Sequence, residues 1–144
     1  MTLFLSAAAI AGNAPDKNND GINWLSIEEA QARGKKEPKK VFVDVYTNWC
    51  GFCKKMDANT FSNPEIIKYV NDHFYAVKLN AESKKLVTFN GTTLSEAELA
   101  RAFRVTGYPT IVFIDETFRY IQPVPGYREP AEFHKILLQF NGQK

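Results

Sequence analysis

The two cysteines of this 144-residue chain, Cys50 and Cys53, stand with only Gly51 and Phe52 between them in the stretch "YTNWCGFCKK". Two sulfurs at that spacing can cycle between dithiol and disulfide, supply half of a tetrahedral metal site, or close a small loop. A zinc site needs about four ligands. Beyond the pair the chain offers only His73 and His134, neither at finger spacing. A purely structural bond would close too small a loop to constrain much of the unfolded chain. Thiol chemistry is the reading that uses both sulfurs, either as a catalyst or as a redox-sensitive latch in a binding module.

That chemistry depends on which element carries the cysteines. "KVFVDVY", Lys40 to Tyr46, is β-rich and nearly apolar throughout, which suits a strand buried on both faces. Its one polar interruption, Asp44, stands out. Lys54 to Asn59 continues as a helix, so Cys50 falls where a central strand turns into a helix. Unpaired N–H groups and the positive end of the helix dipole there favour thiolate over thiol, which makes Cys50 the nucleophile. Cys53, one turn later, is placed to attack a mixed disulfide on Cys50 and release the reduced product. Gly51 and Phe52 set the local geometry, and Trp49 offers an apolar cover for the sulfur.

The remaining elements follow from caps and periodicity. Ser26 and Glu29 have capping-box spacing and open a helix that Gly34 and Pro38 are expected to end. "SNPEIIKYVNDHF" has Asn63 as cap and Pro64 at the first helical position. Phe74 to Asn80 reads as a second central strand. Ala81 to Leu94 reads as an insertion or irregular loop containing an Asn90-Gly91 turn. Ser95 and Glu98 cap a helix running to about Arg104. "PTIVFID" and "RYIQPV" form an antiparallel hairpin, and Pro130 opens a last helix through Phe140. Strands separated by helices imply parallel crossovers, and the late hairpin adds antiparallel pairing. The expected fold is α/β, a central mixed sheet with helices on both faces.

Composition narrows the function classes. With 44% hydrophobic residues, 11 Phe and 6 Tyr, the chain can build one real core. A formal charge of +2, from 18 basic and 16 acidic side chains, lacks the basic stripe that nucleic-acid binding requires. The lysine pairs at Lys35/Lys36, Lys39/Lys40, Lys54/Lys55 and Lys84/Lys85 read as solvated faces. "LFLSAAAIA", Leu3 to Ala11, is an uncharged apolar run of signal-peptide length, too short to span a membrane. Ala9-Ile10-Ala11 before Gly12 has the small-x-small pattern of a cleavage site, and no cysteine follows for lipidation. Gly12 to Gly21 reads as a linker. Residues 1–21 are thus a signal-like segment and linker, residues 22–144 the domain, and the protein is expected in the periplasm or otherwise exported.

Several motifs in order resemble the thioredoxin superfamily over about residues 40–140. "VFVDVYTNWCGFCKK" is similar to the family's strand and active-site helix, with Asp44 where thioredoxins place a buried acid and Lys78 where they carry a lysine near it. "VTGYPT" resembles the cis-proline loop, which implies that Pro109 lies beside the cysteines and Tyr108 faces substrate. Gly126 fits the glycine before the final helix. "CKKMDANTFSNPEIIKYVNDHF" resembles the exported thioredoxin-like group, including the C-terminal domain of the periplasmic transmembrane disulfide reductase. Phe52 departs from the proline of ordinary thioredoxin, and the segment from Ala81 to Leu94 is longer than the minimal fold needs.

The resemblance implies a thioredoxin fold and a protein-disulfide reductase. Cys50 and Cys53 would be the redox pair and Asp44, with Lys78, the proton acceptor for Cys53. Trp49, Gly51, Phe52, Tyr108 and Pro109 would be the substrate-facing residues. It implies no metal and no cofactor beyond the Cys50–Cys53 dithiol or disulfide. The implied partners are disulfide-containing exported proteins and a membrane-bound thiol electron donor, served by a monomer. A disulfide oxidase or isomerase is the alternative direction of the same chemistry.

Overall fold

The structure, a computed structural model, describes residues 21–142. The signal-like segment and most of the linker, residues 1–20, lie outside the described residues. In chain order the elements are β1 (Trp24–Leu25), α1 (Ile27–Lys36), β2 (Lys40–Tyr46), α2 (Gly51–Asn59), α3 (Pro64–His73), β3 (Phe74–Asn80), β4 (Leu86–Phe89), β5 (Thr92–Ser95), α4 (Glu96–Ala102), β6 (Thr110–Ile114), β7 (Ile121–Pro125) and α5 (Pro130–Asn141).

Local signals start these helices. The Ser26 hydroxyl accepts the Glu29 N–H at 3.0 Å while the Glu29 carboxylate accepts the Ser26 N–H at 2.8 Å, and Ser95 and Glu98 repeat the arrangement. The Asn63 side chain accepts the N–H groups of Glu65 and Ile66. Gly34 does not end α1 as expected. The helix runs on to Lys36 and stops at the extended Glu37, the residue that Pro38 holds out of helical conformation. Gly34 is instead a packing residue, since a Cβ there would stand 3.0 Å from the Phe118 ring.

β2 lies at the centre of a five-stranded sheet of order β1-β3-β2-β6-β7. β1, β3 and β2 run parallel, and β6 and β7 are antiparallel additions. The mixed sheet matches the expected class. The short β1 has no signal of its own and exists only as a partner of β3. Residues expected to form an irregular loop form a β4–β5 hairpin instead. Its turn is the Asn90-Gly91 pair, with φ of 50° and 84°, the positive values that a two-residue primed turn requires.

Alternation along the strands splits the core in two. Val41, Val43, Val45, Tyr75, Val77, Leu79, Val112 and Ile114 point to the face covered by α1, α4 and the hairpin. Phe42, Phe74, Ala76, Ile111 and Phe113 point to the other face, where Met56 of α2, Ile66 and Val70 of α3, and Phe133 and Leu137 of α5 close over them. Asp44 follows Phe42 by two residues and Lys78 follows Ala76 by two, so both belong to this second face.

Candidate active site

The chain leaves the sheet at Tyr46, whose carbonyl accepts the Ala81 N–H at 2.8 Å. The Cys50 N–H reaches back to the Thr47 carbonyl at 3.4 Å, closing a turn before α2. Cys50 is the N-cap of α2, and its Sγ accepts the Cys53 N–H at 3.1 Å. The two cysteines are joined in a disulfide with 5.3 Å between their Cα atoms. Free N–H groups and the dipole of the first turn act on Cys50 Sγ, so the position favours a thiolate there once the bond is reduced. Both cysteines are only 5% exposed, whereas Trp49 and Phe52 beside them are 65% and 59% exposed. Gly51 is the exposed first residue of α2.

On the strand that leads to the disulfide, the register places Asp44 directly opposite Lys78. Their side chains pair at 2.8 Å, and Lys78 also reaches Asp57 of α2 at 2.6 Å. The Lys78 ammonium lies over the rings of Trp24, Tyr46 and Phe61 at 4.8, 5.2 and 5.6 Å, a cage that favours a cation. Asp44 is 2% exposed. Burial pushes its carboxyl up to about 6, against the pull of the Lys78 charge and with a further push from Asp57. For Lys78, burial alone would lower the ammonium, but Asp44 and Asp57 outweigh it and hold the group above its ordinary value.

Two aromatic pairs flank the disulfide. Trp49 meets Tyr108 edge to face at 6.0 Å and donates its indole N–H to the Glu82 carboxylate at 3.0 and 3.1 Å. Phe52 lies 6.0 Å from Tyr127, with the Lys55 ammonium 4.9 Å over the Tyr127 ring. The Tyr108–Pro109 peptide is cis. Pro109 is buried, and its carbonyl accepts the Gly126 N–H at 2.9 Å. Gly126 has φ of +101°, which only glycine adopts readily, so the loop before α5 needs this residue.

The structure therefore brings Trp49, beside Cys50, into ring contact with Tyr108, the residue before the cis Pro109. Asp44 and Lys78 are tied to the redox helix through Asp57. Asp57, Glu82 and Tyr127 escaped the sequence reading. Asp57 carried a usable signal, since its offset of four from Cys53 puts the two on one helical face. His73 and His134 lie elsewhere, their rings 4.4 and 5.3 Å from that of Tyr69. Among the described residues no group of three or more His, Cys, Asp or Glu side chains could hold a metal.

A sheet of this order, with a Cys-x-x-Cys disulfide capping the helix after its central strand, defines a fold of the thiol–disulfide oxidoreductase class. The family model of the thioredoxin-like domain matches residues 26–141, and the chain belongs to that family. It is 35% identical over 115 residues to the thiol:disulfide interchange protein DsbD of Salmonella typhi, covering 78% of this chain. The chain spans only 18% of that relative's length. A solved thioredoxin from Thermus thermophilus superposes with a TM-score of 0.66 at 27% identity, covering 83% of this chain and 87% of that one. The oxidised C-terminal domain of DsbD from Neisseria meningitidis gives 0.60 at 22% identity, covering 78% and 90%. At that identity the likeness is one of fold alone. No helix among the described residues is long and apolar enough to cross a membrane.

Proposed function

We propose that this protein is a protein-disulfide reductase acting on exported proteins, in the periplasm or an equivalent compartment. The observation that carries the reading is the disulfide at the N-terminus of α2, the helix that Lys78 links to a buried Asp44 carboxyl raised to about 6. Cys50 as thiolate attacks one sulfur of a substrate disulfide and expels the other as a thiolate. Asp44, ionised above about pH 6, takes the proton of Cys53. The Cys53 thiolate then attacks the Cys50 sulfur of the mixed disulfide, the Cys50–Cys53 bond forms, and the two substrate sulfurs take one proton from Asp44 and one from solvent to leave as a dithiol.

Lys78 holds Asp44 in place and moderates its basicity, and Asp57 shares that ammonium. Trp49, Phe52, Tyr108 and Tyr127 offer apolar surface on either side of the sulfurs. The backbone around Tyr108 and Pro109 would hold an extended substrate segment as an added strand. A membrane-bound dithiol relay recharges the protein, because an exported compartment is oxidising. The apolar run Leu3 to Ala11 and the relationship to DsbD support this setting. The reading needs no metal or organic cofactor and treats the protein as a monomer.

The test is trapping. Cys53→Ala lacks the resolving sulfur and should accumulate mixed disulfides with exported proteins, visible as bands that collapse on reduction. Cys50→Ala should accumulate none, and equal trapping by the two variants would refute the assigned roles.

A further inference from the structure

The Lys78 ammonium carries three N–H donors and meets two carboxylates, Asp44 at 2.8 Å and Asp57 at 2.6 Å. Its side chain is 27% exposed, so most of it is withdrawn from water. Rings stand where water would otherwise be. Of the three around the ammonium, that of Trp24 lies nearest, at 4.8 Å, and indole attracts a cation more strongly than the rings of Tyr or Phe do.

The sheet explains the contact. Trp24 of β1 is level with Ala76 of β3, and Lys78, two residues further on, points to the same face as Ala76. The indole meets the Phe42 and Phe61 rings edge to face at 5.8 and 5.3 Å, which fixes it from two sides. The charged groups that meet at the ammonium are Asp44 from β2, Lys78 itself from β3 and Asp57 from α2. Tyr46 of β2 also faces it. Burial, against the pull of Lys78 and with further pushes from Glu96, Asp44 and Asp57, holds the Tyr46 phenol above its ordinary value, so it is neutral where Asp44 titrates.

We infer that Trp24 is a positioning residue whose ring holds the Lys78 ammonium between Asp44 and Asp57 and so sets how readily Asp44 takes a proton. Without that ring, the ammonium trades its contact with Asp44 for water, and the buried carboxyl loses part of the charge that opposes its burial. The inference adds a residue to the redox reading above and rests on it for the consequence in catalysis. The two-residue β1 thereby acts on the site through Lys78.

The test uses the full chain with Trp24→Leu and Trp24→Met, which keep an apolar cover but remove the ring, and Trp24→Phe, which restores one. Each is checked for folding by circular dichroism, and the Asp44 carboxyl is followed by NMR against pH. In the Leu and Met variants its titration should move upward from about 6 by roughly half a unit, about a threefold gain in proton affinity, and Phe should recover most of the shift. In wild type the Lys78 methylene next to the nitrogen should show an upfield ring-current shift, a readout that needs no variant to fold. The inference is overturned by unshifted Lys78 resonances, by a folded Leu or Met variant that titrates as wild type does, or by a Phe variant that titrates as Leu does. Resolution of a mixed disulfide between Cys50 and thionitrobenzoate, read by dye release, should move its pH midpoint upward in the same variants. If the carboxyl moves and this profile does not, the inference stands and the role given to Asp44 in the redox reading falls.

Discussion

The two faces of the central sheet are built from the same strands but to different ends. The face under α1, α4 and the hairpin is mainly aliphatic along the strands, with Val41, Val43, Val45, Val77, Leu79 and Ile114 packed against Leu99, Phe89, Phe103 and Phe118. The face under α2, α3 and α5 is aromatic, with Phe42 touching the rings of Trp24, Phe61, Phe74, Phe113 and Phe133. Into this second face the fold sets Asp44 and Lys78. Aliphatic strand residues give close packing against the covering helices. Aromatic packing also presents ring faces to an ammonium, which helps a buried carboxyl keep a counter-charge beside it.

The comparison predicts that damage to the scaffold face costs stability and leaves the redox chemistry alone. Leu99→Ala should lower the stability of the oxidised protein by about 2–5 kcal/mol in urea titration. Its redox equilibrium constant should stay within about twofold of wild type. A larger shift would mean that the two faces are coupled and that the division is false.

Asp44→Asn should do the reverse. The Asp44 carboxyl titrates near 6 in the fold, above its ordinary value of 3.8. The folded state therefore holds more protons than the unfolded state between about pH 4 and 6. The contribution of this group is greatest below pH 4 and is lost as pH rises through 6, by up to roughly 3 kcal/mol. Asp44→Asn should remove that slope and leave the variant more stable than wild type at pH 7, since Lys78 keeps Asp57 as a partner. Resolution of the mixed disulfide should slow. An unchanged pH–stability profile would place the group outside the titrating machinery.

Lys78→Met sharpens the same point. Without the ammonium, the Asp44 carboxyl loses the charge that opposes its burial, and its titration should move upward from about 6 when followed by carboxyl NMR shifts. A downward move would mean that loss of the Lys78 side chain relieves the burial of the carboxyl by more than it removes favourable charge. The smallest effect belongs to the rim. Glu82→Gln keeps a hydrogen-bond acceptor for the exposed Trp49 indole and should change stability by less than about 0.5 kcal/mol. Only kcat/KM for a protein disulfide should respond, by about two- to threefold.

Much of this division was legible in the chain. The apolar run of β2 announced a strand buried on both faces, and Asp44 was conspicuous in it because a lone acid there must be paired or functional. The capping boxes at Ser26 and Ser95 are local hydrogen-bond patterns and appear where the sequence puts them. What escaped depends on partners distant in sequence. β1 is two residues long and is specified by β3. β4 and β5 are four residues each, too short for alternation to stand out, although their Asn90-Gly91 turn did. Gly34 looked like a helix stop because nothing in the sequence places Phe118 against it. Glu82 and Tyr127 join the site through loops whose course only the fold determines.

The helix over this face of the sheet is proposed to carry a reducing dithiol. The most direct measurement is the equilibrium potential of Cys50 and Cys53, titrated against dithiothreitol and glutathione with thiols counted by mass spectrometry. A reductase should give a value near that of thioredoxin, about −270 mV. A value of about −120 to −180 mV would make the protein an oxidant or isomerase and contradict the claim.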